Sequence, residues 1–428
     1  MAPSKPKVLI CTYYWPPAGG SGVQRWLYFA KHLRELGWEP VVLTVDETQA
    51  SYPEHDESLY GLTEGIRIYR TATREPLQFY ARWFSKGGLP KGAVPQQTFW
   101  QRLAAYIRGN FFIPDARKGW VPFALAKAQK LLSKEAISYV VTTGPPHSTH
   151  LIGLALKKKF KVKWIADFRD PWTALFYNQQ LYRSARAKRK DEALEKSVLS
   201  HADTILTTIG GDFHQSLQQK VTKKINLMAL PNGFDAELMA GLKGNKPKEF
   251  HLVFTGLLTQ NQAYSELLKA LQTFVSRHPK ATIKWSFAGS VAEEILREVK
   301  VALPTVRVVH LGYIPHADAV ELMKSAHLLL NFIFKGAEQN MLSGKILEYL
   351  ATEVPILSLG EPESPAGVFL AQASHAKMIH PQDQKAMLLF LEEVYKEKDS
   401  LRNYFPQLEQ WSRKALTQRL IDEVFHTT

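Results

Sequence analysis

Cysteine and long apolar runs are almost absent from this 428-residue sequence. The single cysteine, Cys11, excludes an internal disulfide, and its apolar surroundings indicate a small buried side chain. No stretch approaches the ~18 apolar residues that a membrane-spanning helix needs, and no apolar segment precedes the first predicted strand. We therefore expect a cytoplasmic protein in a reducing compartment, without a signal peptide or membrane anchor.

Acidic residues are scarce relative to basic ones only in the first half of the chain. Residues 1–240 contain 33 Lys and Arg against 20 Asp and Glu, whereas residues 241–428 contain 21 against 20. This excess of positive charge indicates contact with an anionic lipid surface or an anionic acceptor. Nucleic acid is the competing partner. Because the sequence shows no nucleic-acid module and no basic and aromatic interleaving, we expect no nucleic-acid binding.

Length and patterning predict two α/β domains. A chain of 428 residues exceeds what one hydrophobic core usually supports. Short apolar strands alternate with helical segments in both halves, which is typical of open parallel sheets with helices on both faces. We place a first domain at residues 1–240, a second at 241–405 and a C-terminal helix at 406–428, with the linker near 236–248.

The most informative segment is SGKILEYL, residues 343–350. Helical composition from Lys345 onward places Ser343 and Gly344 at a helix start, where unpaired N–H groups and the helix dipole attract phosphate. Lys345 adds a positive charge, and Glu348 follows one turn later on the same face. An ammonium for a diphosphate and a carboxylate for a ribose diol favour a nucleotide-sugar site. A solvated helix face is the alternative interpretation of the same spacing.

A glycine-rich loop separates the first predicted strand from the first predicted helix. Gly19, Gly20, Ser21 and Gly22 allow positive φ and let the backbone approach a ligand closely. The spacing lacks the helical glycine of the dinucleotide fingerprint, so we do not predict a dehydrogenase. As an isolated signal the loop is weak, because glycines also make simple tight turns.

Segment 343–350, together with the sequence from Tyr13 through the glycine-rich loop to Trp38 and Pro40, resembles the retaining glycosyltransferases of the group 4 family, cell-envelope polysaccharide type. The resemblance implies the GT-B fold, in which two Rossmann-like domains face each other across a cleft and a terminal helix crosses back onto the first domain. It implies a nucleotide-sugar donor on the second domain, an acceptor on the first, and no cofactor. The expected reaction transfers a sugar, with retention, to a cell-envelope glycan or lipid-linked acceptor.

The resemblance also assigns donor-binding residues. Many members have a glutamate eight positions before the second glutamate of the signature, whereas this chain has Asn340 before Glu348. Members commonly have a cation for the diphosphate after the first strand of the second domain, and residues 257–262 contain none. The expected donor-binding residues are Gly19, Gly20, Ser21, Gly22, Gly256, Asn340, Ser343, Gly344, Lys345 and Glu348.

Polar residues follow two predicted strands of the first domain. His147 follows one strand, and Asp167, Arg169 and Asp170 follow the next. The carboxyl ends of parallel strands share one edge with the glycine-rich loop, where a carboxylate can orient an acceptor hydroxyl or accept its proton. These four residues are the catalytic candidates; the alternative is that Asp170 caps a turn and Arg169 pairs with Asp167. The sequence has no Asp-any-Asp spacing and no His or Cys cluster, so we predict a metal-independent site.

The segment of residues 74–119 is too long for an ordinary connection between a strand and a helix, which indicates a functional segment. Within them, 99–108 has apolar residues at helical spacing together with arginines, which favours a helix in a lipid interface at the inner face of the cytoplasmic membrane. A short helix packed on its own domain is the alternative. A second segment, 182–190, is strongly basic, and a solvated face is its commoner explanation. The expected membrane or acceptor contacts are Trp100, Arg102, Arg108, Phe111 and Phe112.

Two other functions stay open. A nucleotide-sugar 2-epimerase would have the same fold and donor pocket, and it would form product without any acceptor. A non-catalytic protein of this fold that binds a nucleotide sugar or a membrane surface would fit the missing cation at 257–262 and would turn nothing over.

Overall fold

The computed structural model describes residues 5–52, 54–75, 99–174, 181–336 and 343–426. The chain forms two compact units. Unit 1 consists of residues 1–230 and 417–428, and unit 2 consists of residues 231–416. Both contain a parallel sheet with helices, so the predicted α/β architecture is confirmed.

The described part of unit 1 contains a seven-stranded sheet in the order β3-β2-β1-β4-β5-β6-β7. Its strands are β1 Lys7–Cys11, β2 Glu39–Val45, β3 Arg67–Thr71, β4 Tyr139–Gly144, β5 Lys163–Phe168, β6 Thr204–Thr207 and β7 Leu227–Ala229. Its helices are α1 Ser21–Glu35, α2 Phe99–Phe111, α3 Val121–Lys134, α4 His150–Lys159, α5 Ala185–His201 and α6 Asp212–Gln219.

Strand β1 is an interior strand of this sheet, and its apolar residues are covered on both faces. Val8, Leu9, Ile10 and Cys11 are all fully buried, which fits a central parallel strand. Strand β1 pairs with β2 on one side and with β4 on the other. The strand order therefore reverses between β1 and β4, and ligands of open α/β sheets bind outside the carboxyl ends of the strands at such a point.

The last residues of the chain complete unit 1. A π-helical turn, Ile421–Phe425, brings Phe425 against two aromatic rings, with centroids 4.8 Å from Trp38 and 4.9 Å from Tyr139. The Tyr139 hydroxyl also donates a hydrogen bond to the Phe425 carbonyl. Unit 1 is therefore built from both ends of the chain, with unit 2 inserted between them.

The described part of unit 2 contains a six-stranded sheet in the order β10-β9-β8-β11-β12-β13. Its strands are β8 Phe250–Thr255, β9 Ile283–Ala288, β10 Arg307–His310, β11 Leu328–Phe332, β12 Ile356–Leu359 and β13 Ala376–Ile379. Its helices are α7 Ala236–Gly241, α8 Tyr264–Arg277, α9 Glu293–Ala302, α10 His316–Lys324, α11 Lys345–Ala351, α12 Pro365–Leu370, α13 Gln384–Lys396 and α14 Arg413–Leu420.

The two ends of unit 2 lie side by side. The Phe234 N–H donates to the Trp411 carbonyl at 3.3 Å, and the Arg413 N–H donates to the Phe234 carbonyl at 2.8 Å. Phe234 and Met239 belong to the core of unit 2, so the chain enters this unit before the linker placed at 236–248. The second division falls inside α14, after Leu416.

Candidate functional site

Lys345 is the first residue of α11 and lies at the carboxyl edge of the unit 2 sheet. The strand order of this sheet reverses between β8 and β11, and α11 follows β11. The Lys345 Nζ atom lies 4.1 Å from the centroid of the Phe254 ring at the end of β8. A Cβ atom added to Gly256 would approach this Nζ to 3.3 Å. The long side chain therefore fits the reversal point because residue 256 is glycine.

The Lys345 ammonium makes no hydrogen bond and no ion pair among the described residues of the chain. Burial lowers the pKa of Lys345 to about 7, since water is removed and no anion replaces it. The cation–π contact with Phe254 compensates only in part. A partly buried cation without a counterion is a favourable binding position for an anionic ligand.

Glu348 lies one helical turn after Lys345 and is held by two side chains from elsewhere in unit 2. His316 Nε2 and Arg413 Nη2 each lie 2.8 Å from the same oxygen, Oε1. Burial raises the pKa of Glu348, but His316 and Arg413 outweigh it, so the pKa lies below its ordinary value. No hydrogen bond from a described residue reaches Oε2. The ionised carboxylate therefore keeps one oxygen for a ligand hydroxyl.

Sequence reasoning missed His316 and Arg413. His316 begins α10, just after the carboxyl end of β10. That position at the ligand-binding edge of the sheet is the one sequence feature that could have suggested it. Arg413 begins α14, which is more than sixty residues from Glu348 along the chain. Only the tertiary structure brings these residues to Glu348, so no local pattern could have assigned them.

If Glu348 binds the predicted nucleotide-sugar donor, replacing His316 with alanine is expected to weaken that binding about 10-fold, because a hydrogen bond that holds the carboxylate is worth ~1.5–3 kcal/mol. His316→Gln keeps a donor and should restore most of the affinity. The matched control is His278→Ala, which breaks another histidine–glutamate pair of unit 2, the one with Glu392, away from this edge. Calorimetric titration of the three variants tests the pair. Equal losses from His316→Ala and His278→Ala would contradict a positioning role.

The other predicted donor-binding residues of unit 2 that the structure describes act through their backbone conformation and small size. Gly256 has φ +106°, and its N–H donates to the Ala288 carbonyl at 2.7 Å, so its amide is already used. The Ser343 carbonyl accepts from the Ile346 N–H at 3.0 Å. A Cβ atom on Gly344 would lie 2.9 Å from Asn232 Nδ2, so a larger residue would disturb the start of α11. Asn340 lies outside the described residues.

In unit 1, the glycine-rich loop forms the start of α1. Gly20 has φ +83° and precedes the helix, which begins at Ser21. The Gly19 N–H donates to the Glu54 carbonyl at 2.9 Å. The Gly22 carbonyl accepts from Arg169 Nη1 at 2.7 Å, and a Cβ on Gly22 would meet that guanidinium at 3.3 Å. The loop is therefore held closely by its neighbours.

Arg169 acts as a brace for the carboxyl edge of unit 1. Besides Gly22, its guanidinium donates to the carbonyls of Gly144, at 3.2 Å, and Pro145. Burial lowers the pKa of Arg169. The alternative in which Arg169 pairs with Asp167 is not observed, because each of the three guanidinium nitrogens donates to a backbone carbonyl and Asp167 pairs with Arg25 instead. This geometry favours a positioning role over contact with a reacting atom.

Asp167 lies within β5, not after it, and its side chain is 0% exposed. Arg25 binds both carboxylate oxygens, at 2.8–3.1 Å. Trp26 Nε1 and Thr143 Oγ1 donate to Oδ2 at 2.7 and 2.8 Å. A buried carboxylate with all of these partners has no oxygen left for an acceptor hydroxyl, so this geometry favours a structural role for Asp167 over the expected catalytic one.

Replacing Arg25 with methionine is expected to lower the free energy of unfolding by about 3–5 kcal/mol, because the Asp167 carboxylate would remain buried without its cation. Urea denaturation of the full chain measures the loss. Lys7→Met is the matched control, since the Lys7–Glu135 pair is partly exposed and should be worth less than about 1 kcal/mol. Similar losses in both variants would contradict the structural role.

Asp170 differs from Asp167 in its position, its burial and its hydrogen bonding. It follows β5 at the carboxyl edge, is partly buried, and makes no hydrogen bond with a described residue. Burial raises the pKa of Asp170, with the charge of Asp167 acting in the same direction and Arg169 opposing both. A carboxyl group of this kind suits a hydrogen bond to an acceptor hydroxyl or the removal of its proton.

His147 lies in a buried aromatic cluster at the end of β4. Its ring stacks on Trp172 with centroids 5.0 Å apart and an interplanar angle of 8°, and neighbouring His150 stacks on Phe168 at 4.7 Å. Burial lowers the pKa of His147 well below its ordinary value and that of His150 to about 3. His147 is therefore a neutral ring packed against an aromatic neighbour, and this geometry favours support of the edge over proton transfer.

The predicted membrane residues lie on or next to α2. Phe111 is 65% exposed, Arg102 is exposed, and Arg108 and Phe112 are partly buried. The backbone of Trp100 belongs to α2, and its side chain lies outside what the structure describes. No helix in the described ranges is long and apolar enough to cross a membrane. Within the same ranges, no group of three or more His, Cys, Asp or Glu residues could hold a metal ion.

Family models match both halves of the chain. A glycosyl transferase 4-like domain matches residues 19–233, and a domain of glycosyl transferases group 1 matches residues 249–397. The first match spans half of the chain. A search of curated proteins found no match.

Solved structures share the fold along almost the whole chain. The pneumococcal O-GlcNAc transferase GtfA, in complex with UDP and GlcNAc, has a TM-score of 0.60 at 11% identity, over 99% of each chain. An α,α-trehalose-phosphate synthase (UDP-forming) from Burkholderia vietnamiensis has a TM-score of 0.60 at 11% identity, over 98% of this chain and 99% of its own. The lipopolysaccharide outer core galactosyltransferase WaaB, in its apo form, has a TM-score of 0.55 at 10% identity, over 99% of each chain. At these identities the likeness shows the fold alone, and the expected GT-B fold class is confirmed.

Proposed function

The chain belongs to the glycosyl transferase 4-like family and is a glycosyltransferase, and on this premise we propose that it transfers a sugar from a nucleotide-sugar donor to a cell-envelope glycan or lipid-linked acceptor. One observation carries the proposal. Lys345 is a partly buried cation at the reversal point of the unit 2 sheet, and it has no counterion among the described residues. The diphosphate of a nucleotide sugar is an anion that suits this position.

Donor binding is proposed to use Lys345 and Glu348 together. The diphosphate takes the place beside Nζ and restores the charged form of the lysine, because an anion nearby raises the pKa of an ammonium group. Oε2 of Glu348 accepts hydrogen bonds from the donor hydroxyls, while His316 and Arg413 hold Oε1. Because the carboxylate is ionised and held from two sides, it is ready to accept these bonds without rearrangement.

The chemical step places negative charge on the departing diphosphate as the bond between the sugar and the phosphate oxygen breaks. Lys345 stabilises this charge in a poorly solvated position, where electrostatic interactions are stronger than in water. The acceptor oxygen forms the new bond to the sugar. We propose retention through attack on the same face, with the proton of the acceptor hydroxyl passing to an oxygen of the departing phosphate. Asp170 orients that hydroxyl.

The proposed reaction uses no cofactor and no metal ion. Lys345 supplies the positive charge that a divalent cation would otherwise supply to a diphosphate. Of the two carboxylates at this edge, Asp167 is buried in an ion pair with Arg25, so it is not available as a metal ligand. We also propose a cytoplasmic location, which fits a sole cysteine, Cys11, whose buried thiol has its pKa raised to about 12 and stays unreactive.

Binding and transfer are tested in sequence. Calorimetric titration with UDP, GDP and ADP is expected to give saturable binding for one of them, which identifies the donor base. The matching nucleotide sugars are then incubated with membrane lipid extracts, and transfer is followed by mass spectrometry of the lipid fraction. Absence of binding by all three nucleotides would contradict the donor site. Conversion of the donor to an epimer in the absence of any extract would replace transfer with epimerisation.

A further inference from the structure

A cavity of about 190 Å³ lies in unit 2 at the amino edge of its sheet, and it is here called the amino-edge cavity. Its lining residues precede β8 and β12, end α10 or follow α13; they are Gly244, Lys246, Lys324, Thr352, Val354 and Arg402. Lys345 begins α11 at the opposite, carboxyl edge of the same sheet. The amino-edge cavity is therefore separate from the proposed donor site.

One of the three lining cations has a structural role. Lys324 Nζ donates to the carbonyl of Met239 and, at 2.8 Å, to that of Leu242, at the end of α7. A cation in this position satisfies the free carbonyls of a helix C-terminus and interacts favourably with the helix dipole. A Cβ atom added to Gly244 would lie 2.1 Å from the Lys324 carbonyl carbon, so this wall of the cavity is closely packed.

The other two lining cations, Lys246 and Arg402, have no carboxylate partner among the described residues. Lys246 Nζ reaches the Lys398 carbonyl at 3.4 Å. Arg402 Nη1 donates to the carbonyl of its neighbour Leu401 at 3.0 Å. Burial and then the charge of Arg402 lower the pKa of Lys246 to about 8, although Asp399 acts in the opposite direction. Two like charges are thus held near each other at a cost to the folded chain.

The residues beside these cations supply more hydrogen-bond donors than acceptors. Both oxygens of Asp399 already accept from Lys398 Nζ, at 3.1 Å. His327 is 0% exposed and accepts the His251 N–H at Nδ1, so its neutral ring carries the proton on Nε2. This N–H has no acceptor among the described residues, since Asp399 Oδ1 is 3.7 Å away. Burial lowers the pKa of His327 to about 4, and the charge of Lys246 acts in the same direction.

We propose that the amino-edge cavity binds a phosphate group, either as inorganic phosphate or as the phosphate monoester of a small metabolite. A phosphate dianion offers acceptors only, and its charge is opposite to that of Lys246 and Arg402. A guanidinium can bind it through two parallel N–H bonds, and an ammonium binds it as a point charge.

The size of the cavity favours a phosphate group over a whole nucleotide sugar. Its volume of about 190 Å³ is below the ~300–1,000 Å³ of pockets that enclose drug-sized ligands. Arg402 is exposed, so the cavity is open to solvent on this side. The remainder of a monoester can therefore project out of the cavity while its phosphate group contacts the two cations.

Calorimetric titration of the full chain with inorganic phosphate and with glycerol phosphate tests the cavity. Every chain in the test carries Lys345→Met, which removes the cation of the proposed donor site, so the result does not depend on the proposed function. Chloride at the same ionic strength is the reference, because screening alone changes surface electrostatics. Saturable binding is expected. Tighter binding of glycerol phosphate would identify a monoester as the ligand, and equal binding would show that the phosphate group alone is recognised.

Two double variants are compared in this background. K246M/R402M is expected to weaken phosphate binding about 10-fold or more, because charge-assisted hydrogen bonds are lost. The matched control R297M/K300M also removes one arginine and one lysine, both exposed on α9 of unit 2, and should change the affinity less than about 3-fold. Lys324 is left unchanged because it caps α7.

Thermal melts separate a ligand site from a structural role of the two cations. In chloride, K246M/R402M should melt no lower than its Lys345→Met parent, because the repulsion between Lys246 and Arg402 is removed. Phosphate stabilises most proteins by exclusion from their surface, so the parent and R297M/K300M should gain more from phosphate than K246M/R402M does.

Three results would overturn the proposal. The first is the absence of saturable binding of both probes by the Lys345→Met chain. The second is an equal loss of affinity in K246M/R402M and R297M/K300M, since this would make the effect one of net charge. The third is a K246M/R402M chain that melts well below its parent in chloride, because Lys246 and Arg402 would then serve the fold.

Discussion

Replacing Lys345 with methionine is expected to weaken nucleotide-sugar binding about 10- to 100-fold and to lower kcat a further 10²- to 10³-fold. The first effect follows because a charge-assisted contact with the diphosphate is lost. The second follows because the departing diphosphate carries more charge in the transition state than in the bound donor. Methionine fills similar space against Phe254 and Gly256, so the fold should be retained.

Calorimetry gives the dissociation constant, and single-turnover kinetics gives the rate of transfer. Lys345→Arg is the matched control, because it keeps the charge and should recover part of both values. Lys335→Met, also in unit 2 and just before the undescribed residues 337–342, tests for a general effect of removing a cation. If Lys345→Met bound the donor as well as the wild type, the proposed donor site would be wrong.

The affinity for a nucleotide sugar should also fall as the pH rises from 7 to 9. The pKa of free Lys345 is about 7, so the ammonium is charged below this pH and mostly neutral above it. Binding above pH 7 must therefore take up a proton, which costs up to about tenfold in affinity per pH unit. A nucleotide sugar is used because the terminal phosphate of a free nucleoside diphosphate titrates near pH ~6. Lys345→Met should abolish the dependence; an unchanged slope would assign it to another group.

Replacing Asp170 with asparagine is expected to lower kcat for transfer about 10²-fold and leave donor affinity unchanged. A carboxylate that orients or deprotonates the acceptor typically contributes ~10²–10⁴ in rate, and the lower end applies if the departing phosphate takes the proton. The free energy of unfolding should not fall, because Asp170 makes no hydrogen bond with a described residue. Steady-state kinetics with the identified acceptor, together with donor calorimetry, separates the two effects.

Asp167→Asn is the matched control for Asp170→Asn. It changes the neighbouring carboxylate in the same way, but it breaks the Arg25 pair, so it should destabilise unit 1 and reduce activity through the loss of folded protein. An Asp170→Asn enzyme with normal kcat would show that the acceptor is oriented elsewhere. An Asp170→Asn enzyme with lost stability would show that the carboxyl group is structural.

Local sequence patterns were sufficient for the strands and helices that carry the site. Apolar runs predicted β1, β4 and β5 to within a few residues, because buried parallel strands need continuous apolar sequence. The glycine-rich loop and the start of α11 were also placed correctly, because glycine and a change of periodicity mark the ends of helices and strands. Lys345 and Glu348 are local to one helix, and one helical turn fixes their spacing.

Contacts between distant segments could not be predicted in this way. Asp167 was expected at a loop, and the strand extends one residue beyond it, which turns its side chain into the core towards Arg25. Arg169 was expected to act in catalysis or to pair with Asp167; the pair is not observed, and the guanidinium donates to three backbone carbonyls. Because residue types at a strand end do not reveal which of them points into the core, sequence alone could not distinguish Asp167 from Asp170.

The insertion of unit 2 between two parts of unit 1 determines the order in which a newly synthesised chain can complete its fold. All residues of unit 2 leave the ribosome before Phe425 does, and Phe425 packs against Trp38 and Tyr139 of unit 1. Because the ends of unit 2 pair with each other at Phe234 and Arg413, that unit can close as soon as it has emerged. The unit that is synthesised first is thus finished last, because Trp38 and Tyr139 can gain their contact with Phe425 only after Phe425 has been synthesised.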